Sequence, residues 1–114
     1  ARRVRISKRL STEAVVTTIP QIIAHRGAPR EALENTIPAF HAALTQGADA
    51  IELDVHATRD GVVVVHHDDY LRLARNEPGA RRPIADLDAE EVRRTPLRDG
   101  LHVPTLDEVL DLVG

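Results

Sequence analysis

The stretch Ala48-Asp49-Ala50-Ile51-Glu52-Leu53-Asp54-Val55 reads as a strand, and it carries two acids where a buried strand should carry none. Side chains alternate across a strand, so Glu52 and Asp54 share one face while Ile51, Leu53 and Val55 share the other. An unpaired buried carboxylate is costly or takes up a proton, so two pointing the same way call for a cation or an arginine between them. An antiparallel strand with one wet polar face satisfies the same pattern. The flanking sequence has to separate these two arrangements.

Upstream, Gln21 to Ala24 is a short run that ends in His25-Arg26-Gly27, the pattern of a buried strand stopping in a glycine turn. Ala28 to Glu34, with Pro29, reads as loop. A helix then begins at Asn35 or Thr36, with Pro38 tolerated in its first turn. Ile37, Phe40, Ala43 and Leu44 lie on one stripe of it, and Gly47 suits the position just past its end. Downstream, Asp60-Gly61 is a turn pair, and Val62-Val63-Val64-Val65-His66-His67 predicts a strand covered on both faces. Residues 68–86, with Pro78-Gly79 and Pro83, read as a long loop. Two capping boxes follow, Asp88 with Glu91 and Thr105 with Glu108, each opening a helix. Leu87 with Val92 forms a hydrophobic staple for the first. Leu106, Val109, Leu110 and Val113 give the second an apolar stripe.

At 114 residues the chain suffices for one modest core. Phe40 and Tyr70 are its only aromatics, so that core is built from Val, Leu, Ile and Ala. The absence of cysteine removes disulfides and thiol nucleophiles from consideration. No apolar run approaches a membrane span and no signal-peptide pattern follows the basic start, which makes the cytoplasm the default expectation, without stable membrane insertion. Residues 1–20 carry Arg2, Arg3, Arg5, Lys8 and Arg9 against Glu13, whereas the remainder has ten basic and seventeen acidic side chains. The basic segment reads as a flexible extension. A nucleic-acid role is set aside because stacking aromatics are lacking.

Three strands thus run into polar groups: His25-Arg26, Glu52 with Asp54, and His67-Asp68. In a parallel α/β sheet or barrel, functional groups gather where strands end, which would place both histidines on one rim. The set suits a hard cation on the carboxylates with two imidazoles to move protons. Zinc held by the histidines is the competing physical reading.

His25-Arg26-Gly27, Glu34-Asn35-Thr36, Gly47-Ala48-Asp49 leading into Glu52-Leu53-Asp54-Val55, Thr58-Arg59-Asp60-Gly61 with His67-Asp68, and Val103-Pro104-Thr105-Leu106 occur in that order. Together they resemble the glycerophosphodiester phosphodiesterase family over residues 21–114. The resemblance implies an α/β fold, the amino-terminal part of a TIM-type (β/α)8 barrel truncated after about three strands, since a whole barrel needs about 250 residues. It implies hydrolysis of small-molecule glycerophosphodiesters to an alcohol and glycerol 3-phosphate. Carried over by motif, His25 and His67 are the acid/base pair, Arg26 a phosphate contact, and Glu52 and Asp54 ligands of a divalent metal, Mg2+ or Ca2+. Asp69 and Leu73 stand where the family has a proline and an arginine, and the family's third metal carboxylate lies beyond the last helix. The expected partners are therefore a carboxyl-terminal part of the barrel or further copies of the chain in a homo-oligomer. Two other readings stand beside this one: a phospholipase D or sphingomyelinase D-like enzyme on the same barrel, and an inactive metal-binding or assembly fragment.

Overall fold

A computed structural model of the chain describes residues 2–7, 22–27, 33–72 and 80–114. The Val15-Val16 run, most of the loop expected after Gly27, and Leu73 lie outside these residues. In chain order the elements are strands β1 (Arg2–Ser7) and β2 (Ile23–His25), helix α1 (Ile37–Thr45), and strands β3 (Ala50–Ala57), β4 (Val63–Val65), β5 (Tyr70–Arg72) and β6 (Arg81–Pro83). Helices α2 (Ala89–Arg94) and α3 (Leu106–Val113), with 3-10 turns at Ile84–Asp86 and Arg98–Gly100, complete the set.

Strand β3, the one with the acid pair, is the centre of a four-stranded sheet. β2 lies parallel to it, with His25 opposite Glu52. β1 lies antiparallel along the other edge, from Arg2 opposite Val55 to Ser7 opposite Ala50. So where the sequence suggested a flexible basic extension, Arg2–Ser7 form a strand. Its charges alternate with Val4 and Ile6, and those two side chains pack against the core.

The valine run corrects a second expectation. β4 pairs with β3 antiparallel, not parallel, with Val65 opposite Val55 and Val63 opposite Ala57. Thr58-Arg59-Asp60-Gly61 is a hairpin turn, closed by a Thr58 N–H bond to a Val62 carbonyl only four residues on, with Gly61 at φ 85°. Four residues are too few for the crossover that parallel strands require. The expected two-sided cover does exist at its end, since Val64 and Val65 are buried in separate apolar clusters.

The hairpin has a consequence for the site. Carbonyls two residues apart on a strand point to the same edge. Along that edge of β3, Arg26 donates its N–H to the Glu52 carbonyl at 2.6 Å, and His66 donates its N–H to the Asp54 carbonyl at 2.9 Å. β2 therefore reaches this edge from one end and β4 from the other. They meet beside the acid pair.

The two faces of β3 differ as alternation requires. Ile51, Leu53 and Val55 join Phe40 and Ala43 of α1, Val65, and Val109 of α3 in the main core, with Ile37, Leu44, Leu106 and Val113 against it. Leu110, which its spacing put on the apolar stripe of α3, lies 43% exposed, and Leu112 takes its place. A second cluster gathers Val64, Leu71, Ile84, Leu87, Val92 and Val103. Part of the expected long loop belongs to it: β5 and β6 pair antiparallel, and a single 3-10 turn, Ile84–Asp86, follows. Both capping boxes form, at Asp88 with Glu91 and at Thr105 with Glu108.

Candidate functional site

The polar face of β3 carries Glu52 and Asp54, and by register the residues beside them on that face are Arg3, Arg5, His25 and His66. Asp54 is 5% exposed. Its Oδ2 accepts a hydrogen bond from Asn35 Nδ2 at 3.1 Å and lies 3.2 Å from Nε of Arg26. The latter is an ion pair by distance only, because the Nε–H is not aimed at the carboxylate and Nε has no hydrogen-bond partner among the described residues. Nη1 of Arg26 donates to Glu34 Oε2 at 2.7 Å, so one guanidinium lies between two carboxylates. Glu52 pairs instead with Arg5, Nη2 to Oε1 at 3.0 Å. Half of the Arg5 side chain is in water, so this contact contributes little to stability.

The chain reaches this arrangement through backbone conformations that most residues avoid. Arg26 sits at φ 60° and Asn35 at φ 57°, the two non-glycine residues with positive φ among those described. The left-handed region costs such residues about 1–2 kcal/mol, less for asparagine, and persists where the surroundings over-determine it. Here the Asn35 N–H bonds the Arg26 carbonyl at 3.0 Å and joins the two turns. Gly27, next in line at φ 87°, has no alternative: a Cβ there would stand 2.7 Å from the carbonyl carbon of Ala39 in α1.

The histidines fall into two groups. His25 is exposed at the end of β2, beside Glu52. His67 is half-exposed, with Nδ1 3.1 Å from Asp68 Oδ1, and its carbonyl lies 3.1 Å from His56 Nε2. His66 differs: burial lowers its pKa from the ordinary 6.5, with nearby His56 and His67 acting in the same direction and Asp68 and Glu34 against it. A side chain facing away from His67 suggests a packing role for His66, yet its register puts it beside Asp54.

The structure thus joins Arg26 to Asp54 and places His25 next to Glu52. It brings His67 to the same strand edge but not into contact with either acid. Sequence reasoning passed over Glu34, Asn35 and Arg5 as site residues. Glu34 and Asn35 had a signal, since they sit inside a quoted motif; Arg5 had only its alternation with Val4 and Ile6.

Glu52 and Asp54 offer hard oxygen donors from one strand face. That donor set suits Mg2+ or Ca2+ better than a softer ion. Among the described residues no three His, Cys, Asp or Glu converge on one point. No helix of the described residues is long and apolar enough to cross a membrane.

The chain is 40% identical over 100 residues to a glycerophosphodiester phosphodiesterase of Caldanaerobacter subterraneus subsp. tengcongensis, covering 82% of this chain and 40% of that protein. It superposes on the crystal structure of a glycerophosphodiester phosphodiesterase from Agrobacterium tumefaciens with a TM-score of 0.70 and 40% identity, over 82% of this chain and 42% of the other. A phosphodiesterase from Oleispira antarctica, solved in complex with its product sn-glycerol-3-phosphate, gives a TM-score of 0.67 at 34% identity, over 82% and 40% of the two chains. The chain therefore spans about 40% of the length of these relatives, and its mixed α/β fold is part of their TIM-type barrel. Residues 25–114 match the glycerophosphoryl diester phosphodiesterase family, and the chain belongs to that family as the amino-terminal part of its catalytic domain.

Proposed function

We propose that this chain supplies the proton-transferring and phosphate-binding part of an enzyme that hydrolyses glycerophosphodiesters to an alcohol and glycerol 3-phosphate. The observation that carries the proposal is the arrival of His25-Arg26 and His66-His67 at neighbouring carbonyls on one edge of the strand that bears Glu52 and Asp54. The relative from Oleispira antarctica that holds sn-glycerol-3-phosphate supports the choice of substrate class.

A phosphodiester needs its non-bridging charge neutralised, a nucleophile deprotonated and an alkoxide leaving group protonated. Arg26 serves the first need. Its guanidinium turns from Glu34, whose side chain is 41% exposed and easily solvated, toward a non-bridging oxygen. His25 and His67 serve the other two, one as base and one as acid, each from a segment that reaches the same edge of β3. Glu52 and Asp54 would hold a divalent ion, Mg2+ or Ca2+, with further donors from beyond the described residues; when bound it polarises a phosphoryl oxygen. For Glu52 to do so, Arg5 must release it, which half-exposure of the Arg5 side chain makes inexpensive. The strands needed to complete the site come from a carboxyl-terminal part of the barrel or from a further copy of the chain.

A chimera tests this. Residues 22–114 replace the matching part of the Agrobacterium tumefaciens enzyme, and glycerol 3-phosphate released from glycerophosphocholine is followed with a coupled dehydrogenase in Mg2+ or Ca2+. Turnover well above background is expected. A folded chimera that releases no glycerol 3-phosphate overturns the proposal.

A further inference from the structure

Asn35 is 2% exposed and makes two contacts that no other described residue makes together. Its backbone N–H bonds the Arg26 carbonyl at 3.0 Å, and its side-chain Nδ2 bonds Asp54 Oδ2 at 3.1 Å. The amide cannot be turned over, because Oδ1 would then face a carboxylate oxygen with no proton between them. Both contacts of the Asp54 carboxylate among the described residues, from Asn35 and from Arg26 Nε, fall on Oδ2. The carboxylate is thereby held by one oxygen and turned so that Oδ1 is the one left for a ligand.

The same residue leaves its own Oδ1 buried without a partner. A buried acceptor in that condition is destabilising, so a packing role alone does not explain an asparagine here. The left-handed backbone at φ 57° does not explain it either, since glycine would satisfy that conformation with less strain. What asparagine adds over glycine is the amide.

We infer that Asn35 is a positioning residue that sets divalent-cation affinity without touching the cation: its amide orients Asp54, and its N–H fixes the turn that carries Arg26. The inference rests on the reading of Asp54 as a cation ligand. Partners of this kind, one shell out from an ion, typically change affinity by about 10–100-fold when removed.

The test uses the full 114-residue chain, wild type and Asn35→Gly, Asn35→Ala and Asp54→Asn, titrated with Ca2+ by calorimetry. Directly excited Tb3+ luminescence lifetimes in H2O and D2O count the waters on the bound ion. Glycine keeps the backbone conformation and deletes the amide, so Asn35→Gly is expected to melt near wild type, to bind Ca2+ about 10–100-fold more weakly, and to add an inner-sphere water to Tb3+. Asn35→Ala is expected to show the same weakening with a lower melting temperature as well. Wild-type affinity in Asn35→Gly, with Asp54→Asn weakened, overturns the positioning role alone. Wild-type affinity in Asp54→Asn, or no Ca2+ binding by the unaltered chain at millimolar concentration, overturns the ligand reading and the inference with it. An Asn35→Gly chain that does not fold shows that the amide holds the fold and not the site, and overturns the inference too.

Discussion

His66 donates its backbone N–H to the carbonyl of Asp54 at 2.9 Å, one rung beyond the last named pair of the hairpin. That bond fixes the level at which His67 emerges. A single residue inserted after Gly61 would shift the register by one, exchanging the faces of His66 and His67. In the chimera, such an insertion should lower turnover by about 10²-fold with little change in melting temperature, as a misplacement of this size does elsewhere. Unchanged turnover would mean that the hairpin does not position His67.

The two histidines should behave alike. His25→Ala and His67→Ala are each expected to reduce turnover of the chimera by about 10²-fold or more, while Ca2+ affinity by calorimetry stays near wild type. Loss of metal binding together with activity would instead favour histidines as ligands, the zinc reading.

For the acids the expectation is reversed. Glu52→Gln and Asp54→Asn should weaken binding of Mg2+ or Ca2+ and leave the cooperative thermal transition in place. Unchanged affinity in both variants would remove these residues from the coordination sphere.

Stability should fall in mild acid, and His66 is one cause. Burial disfavours the charged imidazole, so its folded pKa lies below the ordinary 6.5. Between those two values the unfolded chain binds more protons than the folded one, so stability rises with pH up to about 6.5, above which this group adds no slope. In His66→Gln the dependence of the denaturation midpoint on pH across that window should flatten. An unaltered slope would place its origin elsewhere.

Gly27→Ala tests the packing of α1 on the site turn. The added Cβ would meet the Ala39 carbonyl carbon at 2.7 Å and its oxygen at 2.8 Å, at a φ that alanine resists. A loss of about 2 kcal/mol or more is expected in urea denaturation. A variant as stable as wild type would show that α1 does not lie against this turn.

What could be read from the sequence was local. The two faces of β3, the stripe of α1 and both capping boxes follow from spacings of two to four residues, and the structure has each of them. The direction of β4 did not follow from periodicity, because a run of valines buried on both sides looks the same in either orientation. Its turn did carry the information, in the four residues between Ala57 and Val62. β1 was hidden by its own charge: the arginines drew attention away from the alternation with Val4 and Ile6. β5 and β6 are three residues each, too short for a period to show. The contact of Asn35 with Asp54 spans nineteen positions and two left-handed turns, and no local pattern encodes it.

The direction of β1 bears on how such measurements are made. Because it runs antiparallel to β3, its first residues lie at the far end, with Arg2 opposite Val55 and Arg3 opposite Asp54. An oligohistidine purification tail fused ahead of Arg2 would enter the molecule at the level of the acid pair. There it would chelate the ions being titrated and add imidazoles beside those under test. A tail that is cleaved before titration, or placed after Gly114, avoids reading the tag as the site.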